Sequence, residues 1–380
     1  MRKQKIGIVG SGIVGLAHAW SAAERGHLVT VFERSDKASG ASIRNFGMVW
    51  PIGQPEPTRQ IAMKSRERWL TLAQHAGLWV NICGSIHLAH REDEWEVLNE
   101  FMELASGSDL ATHLKILSPA GCKSRSAAIQ PNGFYGGLHS DMELCVNPTE
   151  ATRAIPHWLN QTFGVQFQFS SPVTEIDRGW LRTSNAKHEG FDRIIVCSGH
   201  DFESLFPDVF RSVTIRRCKL QMMRTVGQSS DWKLGPHLAS GLTLRHYPSF
   251  RHCGSLQKVI DRVANEAPEL NRFGIHVMAS QDNQNRVVLG DSHEYDSAID
   301  PFDSTEIDEL ILRELQKIIW LPSWQIESRW NGIYAKYPDE VSFECEPIPS
   351  VHIATGLGGS GMTLGFGIAE RAWTRWSNEL

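Results

Sequence analysis

The chain has 380 residues, 41% hydrophobic and 21% charged, with a formal net charge of −5; that length exceeds one ordinary domain of about 100–200 residues and predicts two. The acidic balance excludes a basic footprint for nucleic acid or an anionic membrane, and no run reaches the roughly 18–20 apolar residues of a bilayer span. Seven cysteines without a C-x-x-C pair suggest neither a zinc site nor a disulfide framework, and they fit a reducing, cytoplasmic setting.

At the start, Met1-Arg2-Lys3-Gln4-Lys5 ahead of apolar residues imitates a secretory signal, with Ala17-His18-Ala19 as its cleavage site. A second reading explains more of the same residues. Residues 5–10 read as a short buried strand, Gly10-Ser11-Gly12-Ile13-Val14-Gly15 follows at once, and 16–25 continue as a helix. Gly10 permits the tight turn, Gly12 lets backbone approach a pyrophosphate, and Gly15 lets helix pack on strand, while the helix N-terminus offers N–H groups to the anion. Residues 28–32 form a second strand ending at Glu33 and Arg34. An acid about 20 residues after the glycines accepts hydrogen bonds from ribose hydroxyls and repels a 2′-phosphate, which disfavours NADP.

NAD and FAD share this unit, and three later segments favour FAD. Residues 39–48, Ser-Gly-Ala-Ser-Ile-Arg-Asn-Phe-Gly-Met, are small and polar where an NAD enzyme would continue into another crossover helix; they suit a loop wrapping a longer cofactor. Residues 165–169 alternate with period two, 171–174 add a strand whose Val173 could flank an adenine, and 192–199 form a buried strand closing at Ser198-Gly199. Residues 351–355 then run into Gly356-Leu357-Gly358-Gly359-Ser360-Gly361-Met362-Thr363, before a final helix over 364–376. Only 19 residues follow Gly361, too few for another complete βαβ fold. The better reading is a helix N-terminus aimed at the flavin pyrimidine ring, which gains negative charge on reduction.

In this order the motifs resemble the D-amino-acid oxidase and glycine/sarcosine oxidase superfamily of FAD enzymes, over essentially the whole chain. The resemblance rests on Gly10 to Gly15 with Glu33, residues 41–47, Val173, Cys197-Ser198-Gly199, Arg329-Trp330-Asn331-Gly332-Ile333 and the loop Gly356 to Thr363. It implies an α/β fold: a Rossmann-like FAD-binding domain, discontinuous over 1–80, 145–210 and 325–380, with a mixed-sheet α+β substrate domain over 81–144 and 211–324. Strands at 84–89, 215–225, 276–280 and 286–290, with helices at 93–105 and 305–319, would build the second domain. The implied cofactor contacts are Gly10, Gly12, Ile13, Val14, Gly15, Glu33, Arg34, Ser42, Arg44, Asn45, Gly47, Met48, Val173, Ser198, Gly199, Gly332, Gly356, Gly358, Gly359, Ser360, Gly361, Met362 and Thr363.

Residues 44–55, Arg-Asn-Phe-Gly-Met-Val-Trp-Pro-Ile-Gly-Gln-Pro, look like the clade proposed to oxidise aminophosphonates. Departures from the carboxylate-binding members agree. Tyr334 stands where those enzymes carry a clamping arginine, Gly359 where glycine-oxidase-like members add one, and Thr363 where sarcosine-oxidase-like members have lysine. Gly332 replaces the cysteine that tethers flavin in sarcosine-oxidase-like enzymes, so the resemblance implies noncovalent FAD. Tyr247, His276 and Tyr334 are the leading substrate contacts, with Arg44, Lys219, Arg245, His246 and Lys336 as further candidates and Trp50 as a pocket wall. The implied reaction is oxidation of a small amine such as (N-methyl-)2-aminoethylphosphonate, with O2 or an electron carrier as acceptor. A glycine-, sarcosine- or D-amino-acid-type oxidase is the alternative, and a noncatalytic flavin-binding protein of a larger complex or an NAD-dependent dehydrogenase are readings of other classes.

Overall fold

The computed structural model describes residues 2–378. Alternating apolar residues at the start do form a strand, Lys5–Val9, which lies parallel to Leu28–Phe32 on one side and Arg193–Val196 on the other. Val351–Thr355 adds in parallel beyond Arg193–Val196, and Gln166–Gln168 beyond Leu28–Phe32. Phe343–Ile348 closes the edge antiparallel, giving a six-stranded sheet. The expected elements therefore meet side by side, although they come from distant parts of the chain.

Helix Ile13–Glu24 is buried along most of its length because Ala17, Ala19, Ala22 and Ala23 let it sit close to its neighbours. The last helix, Gly361–Asn378, packs against it and begins inside the glycine loop, three residues earlier than expected. Helix Thr58–His75 then covers Gly361–Asn378. Trp20, Trp69 and Phe366 meet edge to face between these helices, with Trp69–Phe366 centroids 5.1 Å apart. At their polar rim Arg68 bridges Glu24 and Glu370, both at 2.7–2.8 Å.

The second sheet has nine strands and mixes directions. Its path runs Glu294–Asp296, Arg216–Thr225, Val287–Gly290, Met278–Gln281, His237–Ala239, Ser85–Ala89, Gly136–Ser140 and Leu114–Leu117. Ile326–Lys336 also pairs along the full length of Arg216–Thr225. That strand was expected with the nucleotide-binding segments; its backbone hydrogen bonds instead place it in the second sheet. Helices Glu92–Ala105 and Thr305–Ile318 match the expected spans to within a residue. Residues 39–48 form a loop with one short 3₁₀ turn, Ala41–Ile43, and end in Met48–Val49, which pairs with Leu144–Val146. No helix among the described residues is long and apolar enough to cross a membrane.

Gly367 marks the closest helix approach. Its amide donates to Ser65 Oγ at 2.8 Å, and a methyl group there would lie 2.1 Å from the Ile61 carbonyl oxygen. Gly367→Ala is expected to cost about 1–3 kcal/mol by overpacking. Denaturant unfolding of the two proteins measures it.

Candidate functional site

One cavity of about 1110 Å³ lies between the two sheets, and both glycine-led helices open onto it. Gly10 has φ +99°, and a side chain there would meet the Cys197 carbonyl oxygen at 2.5 Å. At Gly15 the clash would be with the Gly10 carbonyl oxygen, at 2.0 Å. Gly12 is different: only Ser42 Oγ lies near, at 3.1 Å, so its missing side chain leaves open cavity. The Ile13 amide is not free, because it donates to Ser42 Oγ at 2.9 Å. Ser42 thereby carries the helix end outward, with its own hydroxyl proton on the cavity wall.

Glu33 closes the turn. Its carboxylate accepts from the amide and hydroxyl of Ser11, both at 2.9 Å, and from the Ser35 amide at 3.0 Å. A carboxylate has about four acceptor positions, so one lone pair is left for a ribose. Beside it Arg34 pairs with Asp201 at 2.8 Å, Ser198 donates to the Asp201 carbonyl, and Val173 and Gly199 complete that wall. Asn45 holds the 39–48 loop in shape, donating to the Ala41 and Ser42 carbonyls while accepting from the Gly47 amide.

At the far end Gly356 (φ +81°) and Gly358 (φ +61°) turn the chain into Gly361–Asn378. Neither this helix nor Ile13–Glu24 has an acid in its first turn. Val14, Met48, Gly332, Gly359, Ser360, Gly361, Met362 and Thr363 line the cavity as well. Thr363 Oγ1 accepts from the Trp50 amide at 2.9 Å, which ties this helix start to the loop. The cavity exceeds the ~300–1,000 Å³ of a typical small-molecule pocket. Its residues fit FAD: side-chain-free backbone at two helix N-termini, a buried acid at the turn, and volume to spare.

Two expected contacts fail. Gly47 lies behind the wall, where a side chain would strike the Val146 carbonyl oxygen at 2.1 Å, so it serves strand packing and not the cofactor. Lys219 points away from the cavity. Its buried ammonium pairs with Asp303 at 3.0 Å and donates to the carbonyls of Asp300 and Phe302. Side chains alternate along Arg216–Thr225: Arg216, Leu220 and Met222 face the cavity, and Lys219 belongs to the other face.

Tyr247, His276 and Tyr334 do meet at one end, joined by Arg245, His246, Lys336 and Trp50. Arg44 also lines the wall, but it donates to the carbonyls of Ser39 and Asn331, bracing the loop on Ile326–Lys336. Burial pushes the Tyr247 and Tyr334 phenols well up and holds them protonated. Burial likewise drives the His246 and His276 imidazoles well down, and His293 to about 4, so all three are neutral near pH 7. Asp291, buried among them, is pushed well above the usual carboxylate range. Arg251, Asp291 and His293 were absent from the expected set: Arg251 lies in the short 3₁₀ helix Pro248–His252, and Asp291 and His293 follow strand Val287–Gly290, none with a motif of its own.

A model of the family described as FAD dependent oxidoreductase (DAO) matches residues 5–373. The chain belongs to this family. It is an FAD-dependent oxidoreductase, with the glycine-oxidase type of mixed α/β fold. Glycine oxidase from Bacillus cereus superposes with a TM-score of 0.77 at 18% identity, covering 99% of this chain and 98% of that one. L-proline dehydrogenase from P. horikoshii gives 0.78 at 18% identity, covering 100% and 94%. In sequence the chain is 27% identical over 206 residues to the tRNA 5-methylaminomethyl-2-thiouridine biosynthesis bifunctional protein of Shewanella pealeana, covering 51% of this chain and 31% of that protein. It is 26% identical over 232 residues to an opine oxidase subunit of Agrobacterium tumefaciens, covering 57% and 62%. The chain thus spans about a third of the first relative and under two thirds of the second.

Removal of the Lys219 ammonium takes a donor from the Asp300 and Phe302 carbonyls and leaves Asp303 with the Asn331 amide alone. Lys219→Met is expected to lower stability by about 1–3 kcal/mol with KM unchanged. A substrate-binding lysine would instead raise KM, so thermal unfolding and steady-state kinetics on one preparation separate the roles.

Proposed function

We propose that this FAD-dependent oxidoreductase of the DAO family oxidises a small amine that carries a phosphonate, such as (N-methyl-)2-aminoethylphosphonate. One observation carries the reading. Lys336, Arg245 and Arg251 line the same end of the cavity, and none of the three has a carboxylate ion-pair partner among the described residues. Desolvation, and after it the charge of Arg251, push the Lys336 ammonium below its ordinary range. Of the three, Arg251 is exposed and Arg245 donates to Asn271 Oδ1 and the Ile275 carbonyl, so Lys336 is the desolvated cation that an anion would offset, and a phosphonate carries more charge than a carboxylate. Tyr334 adds a neutral phenol donor where carboxylate-specific members of the resembled superfamily have arginine.

The similarity to an opine oxidase subunit, a glycine oxidase and an L-proline dehydrogenase supports an amine or amino acid as the reducing substrate. When bound, FAD would supply the acceptor for a hydride from the carbon that bears the amine. Loss of a hydride from the neutral amine leaves an iminium ion, and water converts it to phosphonoacetaldehyde with ammonium or methylammonium. The chain's own groups do the rest: the cations anchor the anion, Tyr247 and Tyr334 donate hydrogen bonds, and Trp50 excludes water. Oxygen, reduced to hydrogen peroxide, is the proposed acceptor. FAD is proposed to be noncovalent, since Gly332 offers no thiol.

The test is anaerobic bleaching of the flavin by a panel of aminophosphonates, sarcosine and D-alanine. Bleaching is expected with aminophosphonates. Lys336→Met should then lower kcat/KM about 10- to 100-fold on them, the loss of one charged hydrogen bond, and far less on an uncharged amine. Bleaching by sarcosine or D-alanine alone would replace this reading with an amino-carboxylate oxidase.

A further inference from the structure

Three histidines meet on the cavity wall although nothing in their spacing announces it. His246 follows the short 3₁₀ turn Gly241–Arg245, His276 precedes strand Met278–Gln281, and His293 follows strand Val287–Gly290. One ring nitrogen from each lies within 4.8 Å of the others. Their ring centroids are 4.0, 4.3 and 4.9 Å apart. Imidazoles bound to a common ion at 2.0–2.1 Å would hold their ligand nitrogens about 3.3 Å apart and their centroids farther apart than the closest pairs here, so binding requires the rings to shift apart as well as rotate.

The His276 and His293 rings lie stacked, 19° from parallel, so the case for ligands rests on their polar atoms. His293 Nδ1 lies 3.3 Å from the Gly274 carbonyl oxygen, which makes Nδ1 the protonated nitrogen and leaves Nε2 a lone pair. Both nitrogens of His276 are buried with no hydrogen-bond partner, as is Asp291 Oδ1. Asp291 stands 3.5 Å from His276 Nε2 and 3.9 Å from His293 Nε2. The backbones of residues 276 and 291 hydrogen-bond to each other in both directions, at 3.0 and 3.4 Å, so this arrangement is pinned by the sheet. Buried polar atoms without partners are costly, and so many on one cavity wall imply a missing one.

We propose that His246, His276 and His293 bind one divalent transition-metal ion of the zinc class on the cavity wall, with Asp291 as the carboxylate partner of His276. Neutral imidazoles are good ligands for such ions. Because all four side chains line the cavity, the ion's remaining positions face its interior. An anionic oxygen of the substrate can take one; that role rests on the phosphonate reading, whereas metal binding does not.

The test uses chelator-treated, FAD-loaded protein without substrate. Calorimetric titration with Zn2+, and metal analysis by mass spectrometry after dialysis, are expected to give one ion per chain. His276→Gln should weaken binding by about 100-fold or more and Asp291→Asn by about 10- to 100-fold. His246→Ala, at a partly exposed position, provides a second ligand variant if the buried one folds poorly, and retained flavin reports folding. No uptake by the parent protein, or unchanged uptake in His246→Ala and His276→Gln together, overturns the proposal.

Discussion

Two helix N-termini, 348 residues apart in sequence, are pressed together over one cavity, and the rest of the site follows from that contact. A side chain at Gly361 would come within 3.5 Å of Ile13 Cγ2, and Gly365 and Ile13 are almost as close. Each helix brings roughly half a positive charge to its start, and neither offsets this with an acid in its first turn. Two such ends in one enclosed space favour an anion at both ends of a long ligand. Pyrophosphate suits the first. The second would suit a flavin ring that becomes negative on reduction, so that binding and chemistry would draw on the same fold.

The nine-stranded sheet supplies what the nucleotide sheet cannot. Its strand Arg216–Thr225, paired with Ile326–Lys336, forms the wall that carries Tyr334 and Lys336, while the turns after Gly241–Arg245 and Val287–Gly290 bring His246, Tyr247, Asp291 and His293. The overall charge is −5, yet this end of the cavity gathers Lys336, Arg245 and Arg251. The local charge at this end is therefore opposite in sign to the net charge.

What was legible in the sequence was local. Gly10 to Gly15, Glu33 and the loop Gly356 to Thr363 each combine a turn requirement with an adjoining strand or helix, so short stretches identify themselves. Side-chain direction was legible only where parity was followed: counting by twos along Arg216–Thr225 would have set Lys219 opposite Leu220 and Met222. The misplacement of Gly47 has another origin, because its constraint comes from Val146, about a hundred residues away. For the same reason Ile326–Lys336 joined the other sheet, through a pairing of high sequence separation; His276 and His293 instead meet across the nearby pairing of Met278–Gln281 with Val287–Gly290, and His246 is brought in from outside it.

If this cavity holds FAD through backbone and dipole alone, with no covalent tether, the cofactor must leave when the fold is destroyed. Acid precipitation of pure protein, with the soluble fraction analysed for flavin, measures this. One intact FAD per chain is expected in the supernatant. A colourless protein that takes up no added FAD would refute cofactor binding at this site, and flavin remaining with the precipitate would refute noncovalent attachment.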